Sequence, residues 1–554
     1  MNWNKAKQKT KRILSHPLSY LILIVLLAAG LRLFALGKVP AGLTWDEAAI
    51  GYNGQAVLTT RRDEWLNFLP ISFRSFGDFK APLAIYLNGL FTEIFGLTPF
   101  GVRLPFALSG IVAVIGFYFL TNQIFKHLEF ELKILSARQV GLTGALILAL
   151  SPWHLQLTRA GFESGMSLSL IIWGLSLVLL YLESQKLYLE SQKPEQDKQS
   201  NQKNKSRWLA LFAGSSLLVA SIYTYHSAKI FTPLLLIIVI AKSRAKLIKN
   251  WKLSLAVFVW TVLLLVPFLI DSFLGQGLTR GGTLIFSQRL GLGGTLAVFV
   301  NNLLIHLKPS FLILGLTDTL RHSPGRWAVL LPTTFVLLIL GLLVFLRKQK
   351  SNFSFVAAWI LLGLTPAALG QIAPQANRAL LALPGLIWLA LVGLDWLLAQ
   401  GKRFDQLISP TRLALIVLVT HLCFFLMYLN YYYREFSRRS AEAFNQGYLE
   451  TMEIVKQYET GSGGKPEVGQ IVFSSQYGQP YIYALFSRKT NPIWYHGGSL
   501  SKYLFPDQVT PGDVNLRQNT LVVATARDDL PAQEADHLVR DTAGNVRFKL
   551  YYVP

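Results

Sequence analysis

Apolar stretches of about 18 or more residues recur from near the N-terminus to residue 430, for example PLSYLILIVLLAAGLRLF (17–34) and WKLSLAVFVWTVLLLVPFLI (251–270). A helix of that length crosses the roughly 30 Å hydrocarbon layer of a bilayer. Lipid offers no partner for free backbone N–H and C=O groups, so such runs must be helices. Only 15% of the residues are charged and 52% are hydrophobic, whereas a soluble surface needs about 25% charged residues. A polytopic α-helical membrane protein is therefore predicted. Spans fall near 18–36, 99–120, 139–153, 164–182, 207–225, 229–241, 252–271, 327–346, 353–370, 379–399 and 412–430, about eleven in all.

The chain carries 53 Lys and Arg against 30 Asp and Glu. An excess of that size first suggests nucleic acid, but its placement excludes that partner. Cations gather in short loops between apolar runs: KAKQKTKR (5–12), KSRAKLIKNWK (242–252), RKQK (347–350) and GKR (401–403). The positive-inside rule accounts for them and puts these loops and the N-terminus in the cytoplasm. The first apolar run is too long for a signal-peptide core and no A-x-A site follows it, so it reads as a retained span of a multi-pass cell-membrane protein. Cys423 is the only cysteine, which rules out an intramolecular disulfide or a Cys metal cluster.

The topology leaves three long outer segments: 37–98, 272–326 and the tail 431–554. The first holds an apolar piece (82–95) suited to an interfacial helix, and the second holds the Gly-rich turn GLGG (291–294). Residues 1–430 then form a transmembrane domain, and 431–554 a small extracytoplasmic α/β domain of accessory character. In that tail, helices are expected at 441–458 and within 475–488. Strands are expected at 469–475, 519–526 and 546–553, the last alternating like an edge strand. On the cytoplasmic side, 183–206 duplicates YLESQK and continues into PEQDKQSNQKNKS, too polar to offset the entropy of ordering, so disorder is expected.

Acidic residues are scarce, yet GLTWDEAAIGYNG (42–54) pairs two of them just beyond the first span. Thr44 and Glu47 have capping-box spacing. Capping does not require Asp46, which as the second residue of the helix sits at the positive end of its dipole. An ionised carboxylate there suits a general base or a ligand to substrate hydroxyls. In GDFKAPLAIYLNGL (77–90), Asp78 and Lys80 precede a proline able to open a helix. Arg103, Arg159, Glu163, His226, Lys229, Arg321, His322 and Arg378 also fall at outer span ends or in outer loops. Each alone can snorkel or cap a span. Together, on the face where few cations belong, they suit a phosphate-bearing ligand.

If that ligand is a sugar linked through phosphate to a long lipid, the set suits glycosyl transfer to an acceptor hydroxyl. A base, Asp46, removes the acceptor proton, while Lys80 and arginines stabilise charge on the leaving phosphate beside an oxocarbenium-like sugar. Fixed cations fill the role a metal would take, no His and carboxylate spacing suits zinc, and a divalent metal is not indicated.

Five pieces, WDE (45–47), DFKAPL (78–83), VRLP (102–105), SPWHLQLTR (151–159) and YTYHSAKIFTP (223–233), resemble membrane glycosyltransferases of the GT-C class. The nearest likeness is to glycosyltransferase family 39, the protein O-mannosyltransferases and the bacterial aminoarabinose transferases. The resemblance covers about the first 240 residues by motif and the rest by topology. It implies a GT-C-like fold with a large first outer loop. It also implies an inverting hexosyl- or pentosyltransferase that uses a polyprenyl-phosphate sugar on the extracytoplasmic side. The acceptor is a hydroxyl of a protein, lipid or glycan. Asp46 is then the implied base, and Glu47, Asp78, Lys80 and Arg159 the implied contacts to acceptor, sugar or phosphate. No repeat of the mannosyltransferases' lumenal β-trefoil is present. The alternatives are a lipid-linked sugar transporter or flippase, and a membrane-anchored binding protein. The chain shows no internal repeat of the kind transporters use, and a binding protein leaves the outer charges without a purpose.

Overall fold

The computed structural model describes residues 17–127, 130, 132–191, 198–275, 282–327, 329–348, 353–403 and 409–554, with backbone alone at 17, 184–191, 198–207, 348, 353, 402 and 403. The described residues begin with α1 (Pro17–Leu33), followed by α2 (Trp45–Thr60). A hairpin follows, β1 (Phe73–Ser75) against β2 (Asp78–Lys80), and then α3 (Pro82–Phe95). Phe76 and Gly77 make the hairpin's two-residue turn with φ of 52° and 77°, the paired positive values that match the strands' own twist. Next come α4 (Pro99–His127), α5 (Ala137–Ala149), α6 (Pro152–Arg159), α7 (Glu163–Ser191), α8 (Lys198–Ile222), α9 (Ala228–Lys249) and α10 (Trp251–Leu274). The remaining long helices are α11 (Gly291–Ile305), α12 (Pro332–Lys348), α13 (Phe353–Ala368), α14 (Leu383–Arg403) and α15 (Pro410–Tyr431).

Each expected span coincides with a helix. Among the described residues, five stretches are long and apolar enough to cross a membrane by length and composition: Pro99–His127, Glu163–Glu183, Trp251–Leu274, Ala376–Gly401 and Pro410–Arg439. The pair α5 and α6, bent by 55°, makes a sixth if counted as one broken span. Pro152 opens α6 at a position where the missing N–H costs nothing, and Ser151 caps it. Trp359, Trp388 and Phe117 centre the main core; Trp388 stacks on Phe117 at 6.0 Å and meets Trp359 edge-on at 5.0 Å.

The tail adds α16 (Tyr448–Thr460), β3 (Gln470–Phe473), α17 (Pro480–Arg488), β4 (Tyr503–Leu504), β5 (Thr520–Thr525), β6 (His537–Arg540) and β7 (Val546–Val553). The sheet order is β4-β3-β5-β7-β6, with β3 parallel to β4 and β5, and β7 antiparallel to β5 and β6. One face of the sheet packs on a cluster of the tail's own residues, Val472, Val509, Val522, Ala524, Leu530 and Tyr551, and the other shares its core with the first loop. Leu43, Ala48, Ala49 and Tyr52 from the first loop pack with Tyr448, Phe473, Tyr483 and Phe548. Tyr52 donates to the Thr490 carbonyl at 2.8 Å and Tyr483 to the Leu43 carbonyl at 2.7 Å, so the tail is fastened to the segment holding the acidic pair.

Four expectations need correction. GLGG does not form a turn: Gly291, at φ +68°, starts α11, which the apolar residues after it continue. The helix expected from 441 begins at Tyr448, because Gly447 at φ +101° breaks the preceding turns. β7 lies inside the sheet, since β6 pairs along its outer side. In the loop expected to be disordered, 183–191 and 198–206 are helical continuations of α7 and α8, built from the good helix formers Leu, Glu, Gln and Lys; residues 192–197 lie outside the described residues.

Candidate functional site

Thr44 caps α2 and Glu47 closes the box: the Glu47 N–H donates to Thr44 Oγ1 at 3.1 Å and the Thr44 N–H to Glu47 Oε2 at 2.9 Å. Glu47 also accepts from Arg103 Nε at 2.7 Å and from the Gly161 N–H at 3.1 Å. Arg103 spends its other donors on the carbonyls of Leu36, Pro40 and Gly42 at 3.2, 2.8 and 2.7 Å. Burial raises the Glu47 pKa, but Arg103 and the Thr44 and Gly161 amides outweigh it and hold the carboxyl below its ordinary value. Both residues are buried. Glu47 and Arg103, expected at the substrate, are paired with each other and pin the start of α2.

One residue back along the helix turns Asp46 away from that buried pair and onto the wall of a cavity of about 660 Å³. Its Oδ1 lies 2.5 Å from Lys80 Nζ, and its Oδ2 lies 4.0 Å from Arg321 Nη1. Lys80 arrives on β2. His226 bonds through Nε2 to the Phe79 carbonyl at 2.8 Å, and Asp78 Oδ1 accepts from the Phe79 N–H at 2.7 Å, so both bear on this strand. Arg321 donates to the Ala443 carbonyl and, at 3.2 Å, to Asn445 Oδ1, while its guanidinium lies 4.1 Å over the Trp45 ring. His322 binds Asp318 through Nδ1 at 3.0 Å and meets the Phe162 ring at 5.4 Å. Burial raises the Asp318 pKa, but His322, Thr317 and Gln375 outweigh it and lower it overall.

Asp46, Lys80 and the adjacent Arg321 and His322, from three separate parts of the sequence, thus converge. The other expected residues do not join them. Arg159 is fully buried and donates to the Leu31 and Arg32 carbonyls at 2.7 and 3.1 Å and to the Val39 carbonyl at 2.9 Å. These bonds hold its two terminal nitrogens to the end of α1 and the chain leaving it, while Nε is buried without a hydrogen-bond partner, and Arg159 does not line the cavity beside Asp46. Lys229 lies 5.1 Å over the Phe268 ring. Glu163 starts α7, and Arg378 packs against Gly370; neither lines this cavity.

The tail, expected to be accessory, supplies the facing wall: Glu442, Tyr477, Gly478, Arg527 and Arg547. Gly478 has φ +120°, and a Cβ there would stand 2.4 Å from Trp45 Cζ3, so only glycine lets the tail close on that indole. Arg527 and Arg547 both pair with Glu442. TARDD (525–529) and VRFK (546–549) signalled charge on or beside strands, but not its direction. Among the described residues, no group of three or more His, Cys, Asp or Glu is placed to hold a metal ion.

No described protein family and no curated protein matches the sequence. Solved structures do match. ArnT from Cupriavidus metallidurans in the apo state aligns at 14% identity over 96% of this chain and 97% of that one, with a TM-score of 0.53. The same protein bound to undecaprenyl phosphate aligns at 13% identity over 96% and 98% of the two chains, with a TM-score of 0.47. The archaeal oligosaccharyltransferase AglB from Archaeoglobus fulgidus, in complex with an inhibitory peptide and a dolichol-phosphate, aligns at 15% identity over 85% of this chain, with a TM-score of 0.49. The chain spans 63% of that protein's length. Both neighbours are GT-C glycosyltransferases, and the match to apo ArnT over nearly both whole chains shows that this polytopic protein has the GT-C fold.

Proposed function

We propose that the chain is an inverting glycosyltransferase that moves a hexosyl or pentosyl unit from a polyprenyl-phosphate donor to an acceptor hydroxyl. The acceptor is a protein, lipid or glycan. Transfer occurs on the extracytoplasmic side of the cell membrane, with the N-terminus in the cytoplasm and the tail outside. About eleven spans carry the cavity, in keeping with the apolar runs and their basic loops. One observation carries the reading: the Asp46 carboxylate bonds Lys80 at 2.5 Å and has Arg321 at 4.0 Å on the wall of a polar cavity.

Lys80 is held by Asp46. A donor phosphate competes for that ammonium and for Arg321, because charge-assisted bonds to phosphate are among the strongest available to either. Transfer of Lys80 to the phosphate frees the carboxylate to take the acceptor proton as the new glycosidic bond forms. Lys80 and Arg321 then stabilise the charge that develops on the leaving phosphate. Attack from the face opposite the phosphate inverts the anomeric carbon, and no covalent sugar–enzyme intermediate is needed.

The test supplies radiolabelled polyprenyl-phosphate sugars and candidate acceptors to the purified full chain in detergent. Wild type transfers label. Asp46→Asn lowers the rate by about 10²–10⁴-fold while binding the donor nearly as well. Transfer unchanged in that variant rejects Asp46 as the base.

A further inference from the structure

We propose that the tail builds a second oxyanion subsite in this cavity, on Arg527 and Arg547, and that the acceptor is an acidic saccharide held there by its phosphate or carboxylate. The identification of the ligand as the acceptor rests on the transfer reaction proposed above; the subsite itself does not.

Arg547 is the key residue. It stands on β7 with a side chain only 7% exposed, lines the cavity, and lies 4.1 Å over the Tyr477 ring. Its Nη1 is 3.4 Å from Glu442 Oε2, while its Nε has no hydrogen-bond partner. Arg527 lies 5.2 Å from the same ring and pairs with the other oxygen of the same carboxylate. Two guanidiniums therefore share one acid. Within this trio one positive charge stays uncompensated at the cavity wall, which favours an anionic ligand there. Guanidinium forks match phosphate and carboxylate oxygens in plane and spacing.

This group is distinct from the pair facing Asp46. Lys80 and Arg321 serve the donor phosphate, which leaves Arg527 and Arg547 for an anion on the other substrate. The cavity's volume of about 660 Å³ suits a small ligand rather than a folded surface. Thr319, Ser475 and Gln476 add hydroxyl and amide groups to its wall, the chemistry that recognises saccharide hydroxyls.

The full chain in neutral detergent, without donor, is titrated with inorganic phosphate, glucose 6-phosphate, glucuronate and a tetraglutamate peptide, and affinity is read from the rise in Tm. Phosphate and both acidic sugars are expected to stabilise the protein. Arg527→Gln weakens that response at least fivefold, and Glu442→Gln, which removes the competing acid, strengthens it at least fivefold. Arg540→Gln, on the exposed end of the neighbouring strand, leaves it unchanged. Because Glu442→Gln predicts a gain, a folding defect in an arginine variant cannot imitate the result. The proposal fails if Arg527→Gln and Glu442→Gln both leave the response as it was. It also fails if Lys80→Met alone abolishes it, or if tetraglutamate binds more tightly than the sugars. Turnover is not measured, so an enzyme without transfer activity but with this binding sinks only the glycosyltransferase reading, and the reverse outcome sinks only the subsite.

Discussion

Lys80 and Asp46 meet at 2.5 Å across a gap of 34 residues, the lysine on a short hairpin and the aspartate in the first turn of α2. The lysine side chain is 8% exposed and the aspartate's 37%, so the pair is buried on the protein side and open toward the cavity. A ligand that takes over the lysine does so without unfolding either element.

Lys80→Met should therefore act on donor handling. Loss of a charge-assisted bond to phosphate costs about 1.5–3 kcal/mol, so the donor KM is expected to rise by about 10- to 100-fold with a smaller change in acceptor KM. Steady-state kinetics with each substrate varied in turn checks this. A defect confined to acceptor KM removes Lys80 from the phosphate.

Glu47→Gln should act on stability. It leaves the Arg103 guanidinium buried beside a neutral partner, and breaking one side of a buried ion pair costs about 3–5 kcal/mol. A clear fall in Tm in detergent is expected. Paired replacement of Glu47 and Arg103 by apolar residues of similar size recovers part of it, because no lone charge remains. A normal Tm together with lost transfer would return Glu47 to the substrate.

Gly478→Ala tests whether the tail is part of the site. The added methyl meets Trp45 at 2.4 Å in a backbone conformation that L-residues avoid. Trp45 carries Arg321 on its ring, so its displacement shifts a cation beside Asp46. Transfer is expected to fall by about tenfold or more, with the global Tm lowered only modestly. Full activity in this variant would show that the tail's closure on Trp45 does not matter to the chemistry.

These contacts mark how far the sequence could be read. Apolar periodicity located the helices, and Thr44 with Glu47 announced the start of α2 through local spacing alone. Asp46, Lys80 and Arg321 stood out because charges are rare beside the spans. Their partners did not, since Arg103–Glu47 and Lys80–Asp46 join residues 56 and 34 apart, and only packing settles which of two adjacent acids faces in. The same holds for the tail. VRFKLYYV alternates as an exposed strand would, yet Arg547 is buried in the cavity wall and Lys549 is buried with its ammonium donating to the Asp528 and Leu530 carbonyls, each at 2.8 Å. Their charges looked like a solvated face until neighbouring elements covered it.

Glu64 gives the first loop a pH dependence of definite sign. It is buried near Tyr52, Tyr481 and Tyr495 where the loop meets the tail, and His496 Nε2 lies 2.6 Å from its backbone carbonyl. Burial first, and the charge of Asp63 second, push its pKa up from 4.5 to about 8. The folded chain thus keeps the proton while the unfolded chain releases it near its ordinary value. Stability from this group is complete at low pH, declines from about pH 4.5 upward, and levels off above about pH 8, with a limiting slope of about 1.4 kcal/mol per pH unit. Glu64→Gln holds the neutral form at every pH, so its Tm should vary less between pH 5 and 8.5 and exceed the wild type's at the alkaline end. Thermal unfolding of both proteins across that range decides it. Parallel profiles would mean that Glu64 ionises in the folded protein as it does in the unfolded chain, and that the contact between loop and tail holds no proton.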